Sequence, residues 1–436
     1  MRQEDGYYVT DSTGLHERVV LVGVNLPTAA GYELGGDADT EELARLVKTA
    51  GGQVVGVVEQ NRRRPDARTF VGKGKLAEVK QKLTHLEANL VVFDNELAPA
   101  QGRNLEEELK VNVLDRTELI LDIFARHART HQARLQVELA QLQYMMPRLA
   151  RLWKHLERQA GGIGTRGPGE TQIETDRQLI RHRISLLRKS LREIVAGRKI
   201  QRHRRRELYR AVLVGYTNAG KSTLLNSITD ADVYVQDKLF ATLDATTRRV
   251  EIDERRQFLL TDTVGFIRRL PHNLVESFKA TLQEVVDADL LVHVVDASST
   301  DPEEQIAAVN TVLADIVPTE KPTLYVFNKM DLVADRHVSN RFSRRYPGAL
   351  FVSATAESGA ASVTDTIANL LLGKEQIYQL EIPLTDLGCL GIYHRTGSVL
   401  EQEYGDGFCR AAVRLNKEEL QRLLASRPAV RLTEES

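Results

Sequence analysis

Ala211-Val-Leu-Val-Gly-Tyr-Thr-Asn-Ala-Gly-Lys-Ser-Thr223 is the stretch from which the fold is read. Ala211–Val214 is a short apolar strand. It runs into Gly215-x-x-x-x-Gly220-Lys221-Ser222, and a helical pattern follows from Thr223. Strand, glycine-rich loop and helix in that order make a phosphate cradle. The glycines let backbone N–H groups curl around phosphate oxygens, and the helix turns its positive end toward them. The expected phosphate contacts are Gly215, Tyr216, Thr217, Asn218, Ala219, Gly220, Lys221, Ser222 and Thr223. Lys221 is placed to bridge the β- and γ-phosphates, and the Ser222 hydroxyl to ligate magnesium.

The motifs downstream follow in a telling order. Asp262-Thr263-Val264-Gly265 closes the apolar strand Gln257–Thr261. An aspartate there can hold magnesium through water, and the Gly265 N–H can meet a γ-phosphate. Asn328-Lys329-Met330-Asp331 closes the strand Thr323–Phe327. A carboxylate such as Asp331 accepts two hydrogen bonds from guanine N1–H and N2–H2, donors that adenine lacks, so specificity for guanine follows. Ser353-Ala354-Thr355, after the strand Ala349–Val352, supports the base from the other side.

Outward from this core, four segments are expected. Residues 1–115 alternate apolar runs (Arg18–Val24, Asn89–Phe93) with helical patterns (Glu41–Ala50, Lys75–Leu86), a small α/β unit with a mostly parallel sheet. Residues 116–206 carry two heptad-like seams. One is Leu135, Leu139, Leu142, Met146, Leu149, Trp153 and Leu156; the other is Ile180, Ile184, Leu187, Leu191 and Ile194. Between them lies Gly161–Glu170, GGIGTRGPGE, in which no helix survives. An antiparallel helical hairpin with a glycine-rich tip is the reading. Pro147 kinks or restarts its first helix, and the capping box Thr171-Gln-Ile-Glu174 starts the second. Residues 207–373 form the α/β nucleotide domain. Residues 376–436 form a small α+β domain with strands Tyr378–Ile382, Ser398–Tyr404 and Cys409–Leu415 and a helix Lys417–Leu424.

Composition sets limits. The 436 residues exceed one ordinary domain, and 42% hydrophobic with 27% charged residues exclude wholesale disorder. With 59 basic against 60 acidic residues the net charge is −1, which excludes a uniformly basic nucleic-acid coat protein. Yet residues 177–210 hold 13 Lys/Arg against Glu193 and Glu207, so positive charge is concentrated on the second hairpin helix. That is either a solvated face or a phosphate-backbone contact. Cys389 and Cys409 are too few for a disulfide framework and lack zinc spacing. No signal peptide or membrane span is read, so the expected place is the cytoplasm, with peripheral attachment to ribosomes or membrane left open. Nothing in the chain demands a dimer, and a monomer is expected.

A phosphate loop, D-x-x-G and N-K-x-D in this order resemble the Ras-like, translation-factor class of GTPases. Phe240-Ala241-Thr242-Leu243-Asp244, the segment GGIGTRGPGETQIETDR at 161–177 and the preceding hairpin narrow the resemblance to the HflX family of ribosome-associated GTPases. It covers residues 20–372, with its most specific part from Asp115 to Ile267. The resemblance makes Phe240–Asp244 the first switch. The residues alone leave Thr242, Thr246 and Thr247 open as the second magnesium ligand, and the resemblance selects Thr242. Lys221, Thr242 and Gly265 are then the expected catalytic set, with Mg2+ on Ser222 and Thr242. It further implies GTP and GDP as substrate and product, the large ribosomal subunit and its RNA as partner, and splitting or rescue of stalled ribosomes under stress.

Two departures bear on the chemistry. Many GTPases place a glutamine after D-x-x-G to orient the attacking water; here Phe266 stands there, followed by Ile267. A phenyl ring makes no such hydrogen bond, so slow intrinsic hydrolysis accelerated by a partner is expected, or else another polar residue from the first switch takes the role. Asn218 matches the loop position at which some related GTPases coordinate K+, and potassium is a candidate cofactor. The segment Phe70-Val-Gly-Lys-Gly-Lys75 is a tight basic turn or a second anion site. A GTP-dependent tRNA-modifying enzyme and a protein-binding regulatory switch are the other function classes. The first usually has a reactive C-terminal cysteine, and Cys409 is 27 residues from the end. The basic surplus argues against the second.

Overall fold

Arg18–Asn25 forms strand β1, whose Val19–Val24 are buried without alternation, as expected for the centre of a parallel sheet covered on both faces. The computed structural model describes residues 17–28, 31–32, 36–149, 170–203, 208–229, 239–240, 243–252, 257–269, 282–317, 319–333, 338–371, 375–395, 399–405 and 407–435. The chain divides into two compact units. The first comprises residues 1–193, 237–241 and 270–278; the second comprises residues 194–236, 242–269 and 279–436.

In the first unit, β1 pairs in parallel with β2 (Gln53–Asn61) and β3 (Leu90–Phe93), and β3 with β4 (Asn112–Asp115), giving the order β2-β1-β3-β4. Helices α1 (Gly36–Thr49), α2 (Lys73–His85) and α3 (Pro99–Leu109) connect these strands. Beyond β4, the Asp115 carboxylate caps α4 (Arg116–His127) by accepting from the Glu118 N–H at 3.0 Å. It also accepts the Tyr144 hydroxyl at 2.7 Å and the Leu97 N–H at 3.1 Å. Arg116 is buried between Glu42 and Asp94, donating to Asp94 at 2.7 Å and to Glu42. Two carboxylates on one guanidinium keep every buried charge paired, which such a site requires.

The two predicted seams meet. Leu139 on α5 (His131–Met145) packs with Ile184, Leu187 and Leu191 on the 34-residue α6 (Glu170–His203), and Leu135, Leu142, Met146 and Ile180 flank them. Pro147 sits in a single 3-10 turn, Met146–Arg148, so α5 does end there. The helix α6 starts at Glu170, one residue ahead of Thr171. Thr171 therefore lies in the first turn and is not the cap. Trp153, Leu156 and the glycine-rich tip as far as residue 169 lie outside the described residues.

The second unit holds a six-stranded sheet built from β5 (Arg210–Gly215), β6 (Thr246–Glu251), β7 (Gln257–Asp262), β8 (Leu290–Asp296), β9 (Thr323–Asn328) and β10 (Leu350–Phe351). Its order is β10-β9-β8-β5-β7-β6, parallel except for β6. Helices α7 (Lys221–Thr229) and α10 (Glu357–Leu371) pack on one face; α8 (Pro302–Ile316) and α9 (Val338–Arg345) contribute Ile306 and Phe342 to the other. A separate antiparallel sheet follows, from β11 (Glu375–Pro383), β12 (Val399–Tyr404), β13 (Phe408–Asn416) and β14 (Arg431–Glu435), in the order β12-β13-β11-β14. With α11 (Leu390–Arg395) and α12 (Lys417–Ser426) this is a split β-α-β, ferredoxin-like arrangement around Tyr378, Leu380, Ile382, Cys409, Ala411 and Val413.

Candidate nucleotide site

The site collects at the carboxyl ends of β5, β7, β8 and β9, where open α/β sheets bind their ligands. Residues Gly215–Gly220 form the loop between β5 and α7. Gly215 has φ +149°, and a Cβ there would sit 2.1 Å from the Val294 carbonyl oxygen; no other residue type fits. Gly220 has φ +94° and lies against the Asn328 side chain. Asn218 takes the left-handed conformation at φ +62°, which asparagine tolerates better than most residues.

Lys221 is buried, and its ammonium donates to the carbonyls of Gly215 at 3.1 Å and Tyr216 at 2.9 Å. Burial lowers its pKa to about 8, against the pull of the Asp262 carboxylate. A polyanion brought to this loop restores the charged form. Ser222 Oγ donates to Asp262 Oδ2 at 2.5 Å, and Asp262 is completely buried. A hydroxyl and a carboxylate side by side are the hard oxygen donors that Mg2+ takes. Thr263 donates its hydroxyl to the Leu213 carbonyl at 2.7 Å, holding the second motif against β5. Gly265 is pressed on Thr217, whose Cα would be 2.6 Å from a Cβ at 265. The Thr217 N–H donates to the Phe266 carbonyl at 2.7 Å, and the Phe266 N–H to the Gly215 carbonyl at 3.1 Å.

The base-recognition motifs join the same cluster. Asn328 donates to the Ala219 carbonyl at 2.9 Å and accepts from the Ala354 N–H at 2.8 Å, tying the phosphate loop to residues 353–355. Lys329, with φ +63°, pairs with Asp296 at 2.7 Å. The Met330 N–H donates to the Val352 carbonyl at 3.1 Å, and Ser353 and Thr355 share a 2.9 Å hydroxyl contact. Asp331 is exposed at the rim, and Thr223 and Val264 are half-buried beside the motifs they end or interrupt.

Ala241 and Thr242 lie outside the described residues. Phe240 groups with the first unit, fully buried at φ +57°, its ring edge-on to Phe124 with centroids 4.7 Å apart. Leu243 is buried and Asp244 half-buried. Sequence reasoning missed the Lys329–Asp296 pair, the Ser227 hydroxyl on the Ala354 carbonyl at 2.6 Å, and the Tyr216 hydroxyl, which accepts from the Arg268 N–H at 2.7 Å. Their partners are 33, 127 and 52 positions apart, and no local pattern announces such pairs.

A phosphate loop at a strand–helix junction, an aspartate beside its serine, and an N-K-x-D strand end anchored to the loop define a Ras-like P-loop GTPase. Three family models match the chain: GTP-binding GTPase N-terminal over residues 37–125, GTP-binding GTPase Middle Region over 127–205, and 50S ribosome-binding GTPase over 210–329. GTPase HflX of Flavobacterium psychrophilum is 48% identical over 360 residues, covering 78% of this chain and 86% of the relative. GTPase HflX of Escherichia coli K12 is 44% identical over 397 residues, covering 90% and 93%. The crystal structure of a GTP-binding protein from Sulfolobus solfataricus in complex with GDP is similar at 25% identity and a TM-score of 0.43, covering 81% of this chain and 98% of that one. The chain belongs to the HflX family of GTPases. It is a hydrolase that acts on GTP.

Proposed function

We propose that this GTPase binds the large ribosomal subunit through the basic face of α6, that the bound subunit accelerates GTP hydrolysis, and that the cycle splits or rescues stalled ribosomes. The observation that carries the reading is the character of α6. Its apolar seam is spent on α5, while Arg188, Lys189 and Arg192 are exposed and make no ion pair among the described residues. On a chain of net charge −1, cations left unpaired along one helix suit RNA phosphates. The four-part division at residues 115, 206 and about 375 belongs to the same reading, with the hairpin as the ribosome-facing part and the protein acting as a monomer in the cytoplasm.

In the nucleotide domain, the backbone N–H groups of 218–222 and the Lys221 ammonium take the phosphates. Ser222 and Thr242 would hold Mg2+, with Asp262 behind them; the ion, when bound, neutralises charge on the β- and γ-oxygens. Asn328 fixes the loop, and Asp331 accepts from guanine. Gly265 offers its N–H to the γ-phosphate. Water attacks the γ-phosphorus, the bond to the β-bridging oxygen breaks, and the water's proton leaves with inorganic phosphate. Phe266 is 2% exposed and supplies no polar atom to orient that water, so a group brought by the partner does so. Asn218 would hold potassium, which would supply further positive charge to the phosphates.

The test is GTP hydrolysis with and without purified large ribosomal subunits, in potassium and in sodium buffer. Stimulation of about a hundredfold or more, within the range of trans-acting activators, is expected, with higher turnover in potassium. Intact GTP binding without stimulation moves the reading to a tRNA-directed or protein-directed switch; equal rates in the two salts remove the potassium site.

A further inference from the structure

The segment that begins with Asp262-Thr263-Val264-Gly265, the second switch, is fixed to the phosphate loop on both sides of Gly265. On one side, Thr263 donates to the Leu213 carbonyl. On the other, Phe266 makes its two backbone hydrogen bonds with Gly215 and Thr217 as an isolated parallel bridge opposite Tyr216. Beyond that bridge a side chain makes a further attachment: the Arg268 N–H donates to the Tyr216 hydroxyl at 2.7 Å. Tyr216 is 6% exposed, so its ring is held by packing and its hydroxyl competes with little water. The Arg268 guanidinium is anchored in turn by Glu304 on α8. The carbonyl of Tyr216 meanwhile accepts the Lys221 ammonium at 2.9 Å. One residue thus touches the phosphate-binding lysine with its backbone and the switch with its side chain.

We propose that Tyr216 is a positioning residue for hydrolysis: through Arg268 it clamps residues 265–268 so that the Gly265 N–H is already aimed at the γ-phosphate. The chemistry needs such a clamp more than usual. Phe266 contributes no hydrogen bond to the attacking water, so the aim of the backbone donor carries more of the transition-state stabilisation, and pre-oriented donors act without reorganisation when charge develops. Ground-state nucleotide affinity comes from the loop N–H groups and the base motifs, whereas the Tyr216 hydroxyl is bonded to the Arg268 backbone. Loss of the hydroxyl therefore acts on kcat and spares KM.

The experiment uses the full chain with Tyr216→Phe, which keeps the buried ring. Steady-state GTP hydrolysis, GDP affinity by fluorescent-GDP titration and Tm are measured together. The expected result is a fall in kcat of about three- to tenfold, the range of one neutral hydrogen bond, with KM and the GDP Kd within about twofold of the parent. Glu304→Gln, at the exposed end of the clamp, lowers kcat in the same direction. The double variant falls by less than the product of the two single effects, because both act through Arg268. An unchanged or raised kcat in Tyr216→Phe overturns the proposal. So does a fall in kcat matched by weaker GDP binding, which would make Tyr216 part of the loop framework only, and so does strict multiplication in the double variant.

Discussion

His293 sits on β8 at 1% exposure, stacked on Tyr325 with ring centroids 5.2 Å apart, and its Nδ1 has no hydrogen-bond partner among the described residues. Burial, and then the nearby Lys221 charge, lower its pKa from 6.5 to about 3. The folded chain holds the ring neutral, while the unfolded chain protonates it below pH 6.5. Between those values the unfolded state binds more protons, so stability is fully present above pH 6.5 and is lost as the pH falls toward 3. At pH 5 the loss from this one residue is about 2 kcal/mol, at about 1.4 kcal/mol per pH unit. Urea denaturation at pH 7.5 and 5.0 checks this. His293→Phe is expected to lose about 2 kcal/mol less than the parent across that interval, whatever its stability at pH 7.5; an identical acid limb in both proteins refutes it.

At the scale of the element, α6 has two faces that separate experimentally. Leu187 is 2% exposed in the seam with Leu139, so Leu187→Ala removes buried methyl groups and leaves a cavity. An expected cost of about 2–5 kcal/mol would appear as a lower urea midpoint of the first unit. Arg188→Gln, one position along and exposed, is expected to leave that midpoint within about 0.5 kcal/mol. Equal midpoints for Leu187→Ala and the parent would mean that the seam does not hold the helix. This element also shows what was legible. The seams from Leu135 to Met146 and from Ile180 to Leu191, the interruption of the first hairpin helix at Pro147 and the strand–loop–helix at 211–223 follow from local periodicity and composition, and appear among the described residues. The strand β2 escaped reading because its burial is broken rather than alternating, with Val57 40% exposed. The ferredoxin-like order of the last four strands escaped for a different reason: period-two patterning marks a strand but not its neighbours. The Arg116 triad and the Tyr216–Arg268 contact join residues far apart in sequence, and only the folded chain brings them together.

For the whole molecule, charge distribution decides more than charge total. Its basic and acidic residues cancel to −1, so no general attraction draws this chain to RNA, and any strong salt dependence must come from a local set of cations. The exposed Arg188, Lys189 and Arg192 are the best-defined members of that set. If they face ribosomal RNA, each phosphate they neutralise releases condensed counterion, and the affinity for large subunits falls linearly on a log–log plot against salt. Replacing all three by Gln should then flatten the slope by about two to three, at roughly 0.7–0.9 per phosphate contact, while GTP turnover without ribosomes stays unchanged. Sedimentation binding of the full chain from 50 to 300 mM KCl measures both slopes. Parallel slopes would place the RNA contact elsewhere on the molecule even if binding persists. Parallel slopes together with lost ribosome stimulation would mean that α6 positions the bound subunit for hydrolysis without supplying its electrostatic affinity.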